Sequence, residues 1–193
     1  MVETVEVIYW INLILGFLLI FAIAISIIFP EKRIWPPPSK KSWQFWYIWG
    51  FCGLWLIAGF GLFLLDWHPS LFPWIRYPIG IIIVILGNFL AFWGMKTLST
   101  HQTLGLDGIL IRDGPYRFSR NPQYVGDILI LLGFIILAGS WRVSISFGLA
   151  ISWFVFTPFS EEPWLRAQYG EEFDKYTKEI SRYFSIQKRK KNN

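Results

Sequence analysis

The residues of this chain with chemistry to offer fall in two places. His101 to Tyr124 make a long polar stretch that carries Arg112, Arg117 and Arg120 beside Tyr116, Phe118 and Tyr124, and Glu161 and Glu162 stand together near the end of the last apolar run. Arginine grips a carboxylate or phosphate in a planar, bidentate way. Gly108, Gly114-Pro115 and Asn121-Pro122 punctuate the stretch with turns, which let the backbone approach a ligand closely and leave N–H and C=O groups free to bind it. The glutamate pair supplies the opposite charge, so the two segments together suit a ligand with a negative and a positive end. Asp127 adds a carboxylate three residues into an apolar helix, a costly place for one. Taken singly, each of these residues reads as an interfacial anchor or a solvated side chain. Their joint pattern points to a site.

What must position them is membrane helix. The chain has 193 residues, 54% of them hydrophobic, and its apolar runs are too long for a soluble domain of this size. They fall at about 7–29, 45–65, 75–98, 124–139 and 143–159. The expected fold is all-α: a polytopic membrane protein with five transmembrane helices. Only Ser140-Trp141-Arg142 joins the last two runs, which makes them a tight antiparallel hairpin. At ~1.5 Å per residue each arm reaches about 24 Å, short of the ~30 Å core. The first run is a span and not a signal peptide, because Glu3 and Glu6 replace a basic leader and no small-residue cleavage site follows.

No linker divides the chain, so 1–193 reads as a single membrane domain: the N-terminal helices in 1–74, a core in 75–184 with the polar loop 99–123, and a basic tail in 185–193. Lys32, Arg33, Lys40 and Lys41, the loop arginines and the tail all fall on one side, which the positive-inside rule makes cytoplasmic. The N-terminus is then outside and the C-terminus inside. The net charge of +5 sits at span ends, where it marks topology and contact with anionic lipid at the cytoplasmic face and not nucleic acid. Cys52 has no disulfide partner, and with only His68 and His101 no Cys/His metal cluster assembles, so no metal is expected.

The run Gly114-Pro115-Tyr116-Arg117-Phe118-Ser119-Arg120-Asn121-Pro122-Gln123-Tyr124-Val125-Gly126, followed by Glu161-Glu162, Leu165, Tyr169-Gly170-Glu171-Glu172-Phe173 and Tyr176, resembles the isoprenylcysteine carboxyl methyltransferase family. These are integral membrane enzymes related to the phospholipid N-methyltransferases. The resemblance covers residues 95–184, and the spacing between several short motifs makes it specific.

It implies S-adenosylmethionine as methyl donor, S-adenosylhomocysteine as product, and a prenylated cysteine or other lipidated acceptor. His101, the turn Gly108, Ile109, Leu110 and Ile111, Tyr116, the turn Asn121, Pro122, Gln123 and Tyr124, and Glu161 correspond to cofactor-contacting positions. A prenylcysteine carboxylate is already ionised and needs no general base; a phospholipid or other lipophilic amine must lose a proton, which gives Glu162, Asp127 or His101 that task. The family usually has His where Asn121 stands, and its prenylcysteine branch has a substrate Arg where Thr157 stands, leaving Arg120 or Arg166 as the cation. The implied membrane is the plasma membrane in a prokaryote and the endoplasmic reticulum in a eukaryote. A lipid-tailed acceptor enters sideways from the bilayer and the donor from the cytoplasm. The non-enzyme alternative is a small scaffold whose basic loop binds anionic lipid.

Overall fold

The computed structural model describes residues 2–184; the basic tail 185–193 lies outside them. Those residues form seven α-helices and no strand. Helix α1, Val2–Ile28, stops where Pro30 begins a short 3-10 turn. A proline-rich connection leads to α2, Trp43–Leu65, whose first turn is capped by Ser42 Oγ accepting from the Phe45 N–H. Helix α3, Pro73–Thr97, has proline at its start, where the missing N–H costs nothing. The four-residue α4, Thr100–Thr103, opens the polar loop behind a Ser99 cap.

Helix α5, Pro122–Ala138, again opens on proline and ends at Gly139, whose φ of +62° is the left-handed turn that only glycine adopts freely. Ser140 then caps α6, Trp141–Tyr169, by accepting from the N–H groups of Arg142 and Val143. This two-residue link makes the expected hairpin, but the arms are unequal. The apolar run ends at Phe159, whereas the helix continues to Tyr169 because Leu165 and Tyr169 pack on Phe173, Tyr176 and Ile180 of the segment that follows. At ~1.5 Å per residue the arms reach about 26 and 43 Å. Helix α7, Glu171–Glu179, turns back across the end of the bundle.

Four helices, α1, α2, α3 and α6, are long and apolar enough to cross a membrane, and α5 is a shorter apolar helix. Phe17, Phe21, Ile57, Phe60, Ile82 and Phe89 point outward, as hydrocarbon surroundings allow. Helix α1 packs on α2 and α6, α6 on α5, and α5 most extensively on α3. The last pair is close because both faces are small: a Cβ added at Gly126 would stand 2.4 Å from the Ala91 nitrogen.

The bundle has two polar ends. At one, Asp66 accepts from Ser140 Oγ and pairs with Arg142, which also pairs with Glu6. Arg76 there donates to the carbonyls of Ile136 and Leu137. At the other, the loop 99–123, the segment 29–42 and the end of α6 come together.

Candidate functional site

Three of these segments enclose one cleft of about 130 Å³ that opens to the surface. Its base is a carboxylate. Pro122 starts α5 so that Tyr124 stands in the first turn and faces α6, and its hydroxyl donates to Glu161 Oε1 at 2.5 Å. Trp35 Nε1 donates to the same oxygen at 2.7 Å. Trp35 is held there from α1: the buried Ser26 Oγ accepts from the N–H groups of Ile34 and Trp35 at 2.9 and 3.0 Å. Its ring also lies against Gly105, where an added Cβ would come within 2.6 Å of it and where φ is +76°. Both groups that hold Glu161 are neutral donors, so its charge meets no cation among the hydrogen bonds it makes.

Glu162, one residue on, is treated differently. Arg182 grips it with Nε to Oε1 at 2.7 Å and Nη2 to Oε2 at 2.9 Å, and stacks on the Phe159 ring at 3.8 Å. Arg120 Nη1 approaches the same carboxylate at 3.2 Å. The Glu162 bond holds the Arg182 guanidinium above its usual value, while burial lowers that of Arg120, with Glu162 opposing the shift. The Arg120 side chain is 10% exposed and its Nε is buried without a hydrogen-bond partner among the described residues. A buried orphan N–H on a cleft wall is a donor waiting for an acceptor.

The remaining wall is a strap and a cover. Backbone and side chains of 119–121 bind the segment after α7: the Arg120 N–H donates to the Ser181 carbonyl at 3.1 Å, and Asn121 Nδ2 to the Arg182 carbonyl at 3.1 Å. Phe173, Tyr176 and Ile180 pack with Leu110, Leu165 and Tyr169. Tyr176 Oη donates to the Tyr116 carbonyl at 2.7 Å and Tyr169 Oη to that of Gly108 at 3.0 Å. Burial pushes the Tyr116 and Tyr176 hydroxyls up, so both stay neutral.

Most residues singled out from the sequence line this cleft. Ile109, Leu110, Ile111 and Tyr116 form its apolar wall; Arg120, Asn121, Gln123 and Tyr124 one polar edge; Glu161 and Glu162 its base. Of the expected cofactor-contacting residues, three do not line it. His101 is exposed, with Nδ1 against the Asp107 carbonyl at 2.9 Å, which shapes the loop. Gly108 presents its carbonyl to Tyr169, and Pro122 is buried at the start of α5. Thr157 is buried and donates to its own helix at the Trp153 carbonyl, and Arg166 pairs with Asp174 at 2.7 Å on the surface.

Sequence reasoning missed Trp35, Gln102, Trp164 and Phe173 as lining residues, and Arg182 as the partner of Glu162. Gln102 was signalled by its neighbour: it shares α4 with His101, and its Nε2 donates to the Ile109 carbonyl at 2.6 Å. Trp35 and Arg182 carry no local signal, since both reach the site by long-range folding.

A family model described as phospholipid methyltransferase matches residues 75–172. The chain is 26% identical over 115 residues to a steroid 5-alpha-reductase from Solanum lycopersicum, covering 60% of this chain and 43% of that protein. It is 32% identical over 76 residues to the protein-S-isoprenylcysteine O-methyltransferase of Schizosaccharomyces pombe, covering 38% of this chain and 32% of that protein. The chain thus spans less than half the length of these curated relatives. No solved structure matches it.

Proposed function

The chain belongs to the phospholipid methyltransferase family, and from that premise we propose that it transfers a methyl group from S-adenosylmethionine to a lipid-tailed acceptor at the membrane surface. The observation that carries the reading is the charge of the cleft. Its charged lining residues are Glu161, Glu162 and Arg120; with Glu162 closed by Arg182, the groups left open are the Glu161 carboxylate and the Arg120 Nε. S-adenosylmethionine has the complementary set: an ammonium, a sulfonium and one carboxylate. Glu161, whose charge is held only by Trp35 and Tyr124, is the counter-ion for the cationic part of the donor. Arg120, with its free Nε, receives the donor carboxylate, and Glu162 keeps that guanidinium in place. Ile109, Leu110, Ile111 and Tyr116 offer the purine an apolar slot, with Gln102 and Gln123 at its edge.

The chemistry asked of these residues is modest. Methyl transfer from a sulfonium is an in-line displacement, so holding donor and acceptor aligned in a dry cleft supplies most of the gain. The cover formed by Phe173 and Tyr176 excludes water from the donor side. With loop and tail cytoplasmic by the positive-inside rule, the donor enters from the cytoplasm and the acceptor from the bilayer. Of the acceptors the family resemblance offers, a prenylated cysteine presents a carboxylate and a phospholipid or other lipophilic amine presents an ammonium.

The resemblance to a steroid reductase raises a second reading, reduction, for which a nicotinamide dinucleotide is a common hydride donor. Such a donor brings several phosphate charges, and Arg120 is the one cationic side chain among the described residues lining the cleft. The charge pattern therefore favours methyl transfer. Incubating detergent-solubilised protein and membrane lipid with methyl-labelled S-adenosylmethionine tests it. Label passing into an organic-extractable product, and lost in Glu161→Gln, is the expected result; no label with folded protein overturns it.

A further inference from the structure

We propose that Ser26 is a positioning residue for the donor: through Trp35 it turns the Glu161 carboxylate so that Oε2 is the oxygen offered to the donor's cationic part. The inference rests on the donor assignment above and adds to it a residue of α1, a helix outside the stretch 75–172 that the family model matches.

The Glu161 side chain is held unevenly. Tyr124 Oη and Trp35 Nε1 both donate to Oε1, which fills the acceptor capacity of that oxygen. Oε2 takes no hydrogen bond among the described residues, and Glu161 is partly exposed where it lines the cleft. The two donors come from different elements, α5 and the segment after α1. A single donor would leave the carboxylate free to pivot about its bond, whereas two fix its rotation and so fix where Oε2 points.

Tyr124 is anchored by the first turn of α5. Trp35 has no helix under it, and its anchor is Ser26. The chain leaves α1 at Ile28, turns through Pro30–Lys32 and folds back on the last turns of the helix. There the Ser26 hydroxyl donates to the Ala22 carbonyl at 2.7 Å and accepts from the N–H groups of Ile34 and Trp35 at 2.9 and 3.0 Å. One donated and two accepted bonds are all that a hydroxyl can make, and this one makes them fully buried. A serine that merely sat in the end of α1 would need only its bond to Ala22. The N–H groups it accepts from lie eight and nine residues further on, in the segment that carries the indole.

The indole ring is also boxed by packing. Trp49 meets it edge-on with centroids 6.1 Å apart, and its far edge fills the space that a Cβ on Gly105 would take. Packing of this kind limits where the ring lies but has no direction, whereas the bond to Oε1 requires Nε1 to be aimed and held within hydrogen-bond distance. The backbone anchor at Ser26 supplies that reach. With alanine at position 26, two buried N–H groups lose their acceptor, which a segment relieves by moving. Oε1 then keeps Tyr124 alone, and Oε2 is no longer held toward the donor.

The test is a double-mutant cycle on S-adenosylhomocysteine affinity, measured calorimetrically on the solubilised protein with Ser26→Ala, Trp35→Phe and the pair together. Ser26→Ala alone is expected to weaken binding about fivefold. In Trp35→Phe, where no indole N–H remains to be aimed, the same change is expected to alter binding by less than about twofold. An equal loss in both backgrounds overturns the inference, because Ser26 would then serve the end of α1 or the fold. Wild-type affinity in Ser26→Ala overturns it as well. Where Ser26→Ala does not fold, Ser26→Cys, whose sulfur is a weak acceptor, takes its place in the cycle and is read in the same way. Each of these failures leaves the donor site intact. Wild type that binds no S-adenosylhomocysteine removes the donor reading itself, and this inference with it.

Discussion

The two polar ends of the bundle are built from the same residue types and differ in how their charges close. At the end holding Asp66, the carboxylate meets Ser140 and Arg142, Arg142 meets Glu6 and lies over the Trp141 ring at 4.6 Å, and Arg76 covers the last carbonyls of α5. Asp66, Glu6, Arg142 and Arg76 each have a partner within the fold. At the cleft end Glu162 is closed in the same manner by Arg182 and Arg120, but Glu161 has only the neutral donors Trp35 and Tyr124, and Arg120 keeps an unpaired Nε. A network that closes its charges holds helices together. One that leaves an anion and an N–H open, beside an apolar slot, is arranged for something that arrives later.

Substitutions at the two ends should separate these roles, judged by affinity for S-adenosylhomocysteine and by thermal stability. Glu161→Gln removes the open charge while keeping its shape, and should weaken binding about 100-fold, as loss of a charged hydrogen-bond acceptor in a dry site does. Trp35→Phe deletes one donor to that carboxylate and should cost about tenfold in affinity. Tyr169→Phe frees the Gly108 carbonyl at the edge of the cover and should cost about threefold in binding. Ser140→Ala at the opposite end should change binding by less than about twofold, yet lower stability by about 1–2 kcal/mol, because it removes both the cap of α6 and a partner of Asp66. A large loss of binding in Ser140→Ala, or none in Glu161→Gln, would erase the distinction between the ends.

Much of the fold and of the cleft is legible in the amino-acid sequence. Apolar runs give helices, prolines 30, 73 and 122 mark boundaries that the structure keeps, and the pairing of Tyr116, Asn121 to Tyr124 and Glu161 follows from local motifs. What is illegible depends on distance along the chain. Trp35 is 126 residues from the carboxylate it binds and Arg182 is 20 from its own, so no periodicity foretells either bond. The length of α6 is hidden for a related reason: the run's hydrophobicity ends at Phe159, while the helix persists on contacts made by Leu165 and Tyr169 with α7. His101 shows the converse. Its residue type suggests chemistry, and its fold position makes it a brace for the Asp107 carbonyl.

Above all, the open charges of the cleft fit a sulfonium-bearing amino acid donor. Calorimetric titration of the solubilised wild-type protein with S-adenosylmethionine, and separately with NADPH, tests that fit most directly. Saturable binding of S-adenosylmethionine with none of NADPH is the predicted result. Binding of NADPH with none of S-adenosylmethionine would contradict it.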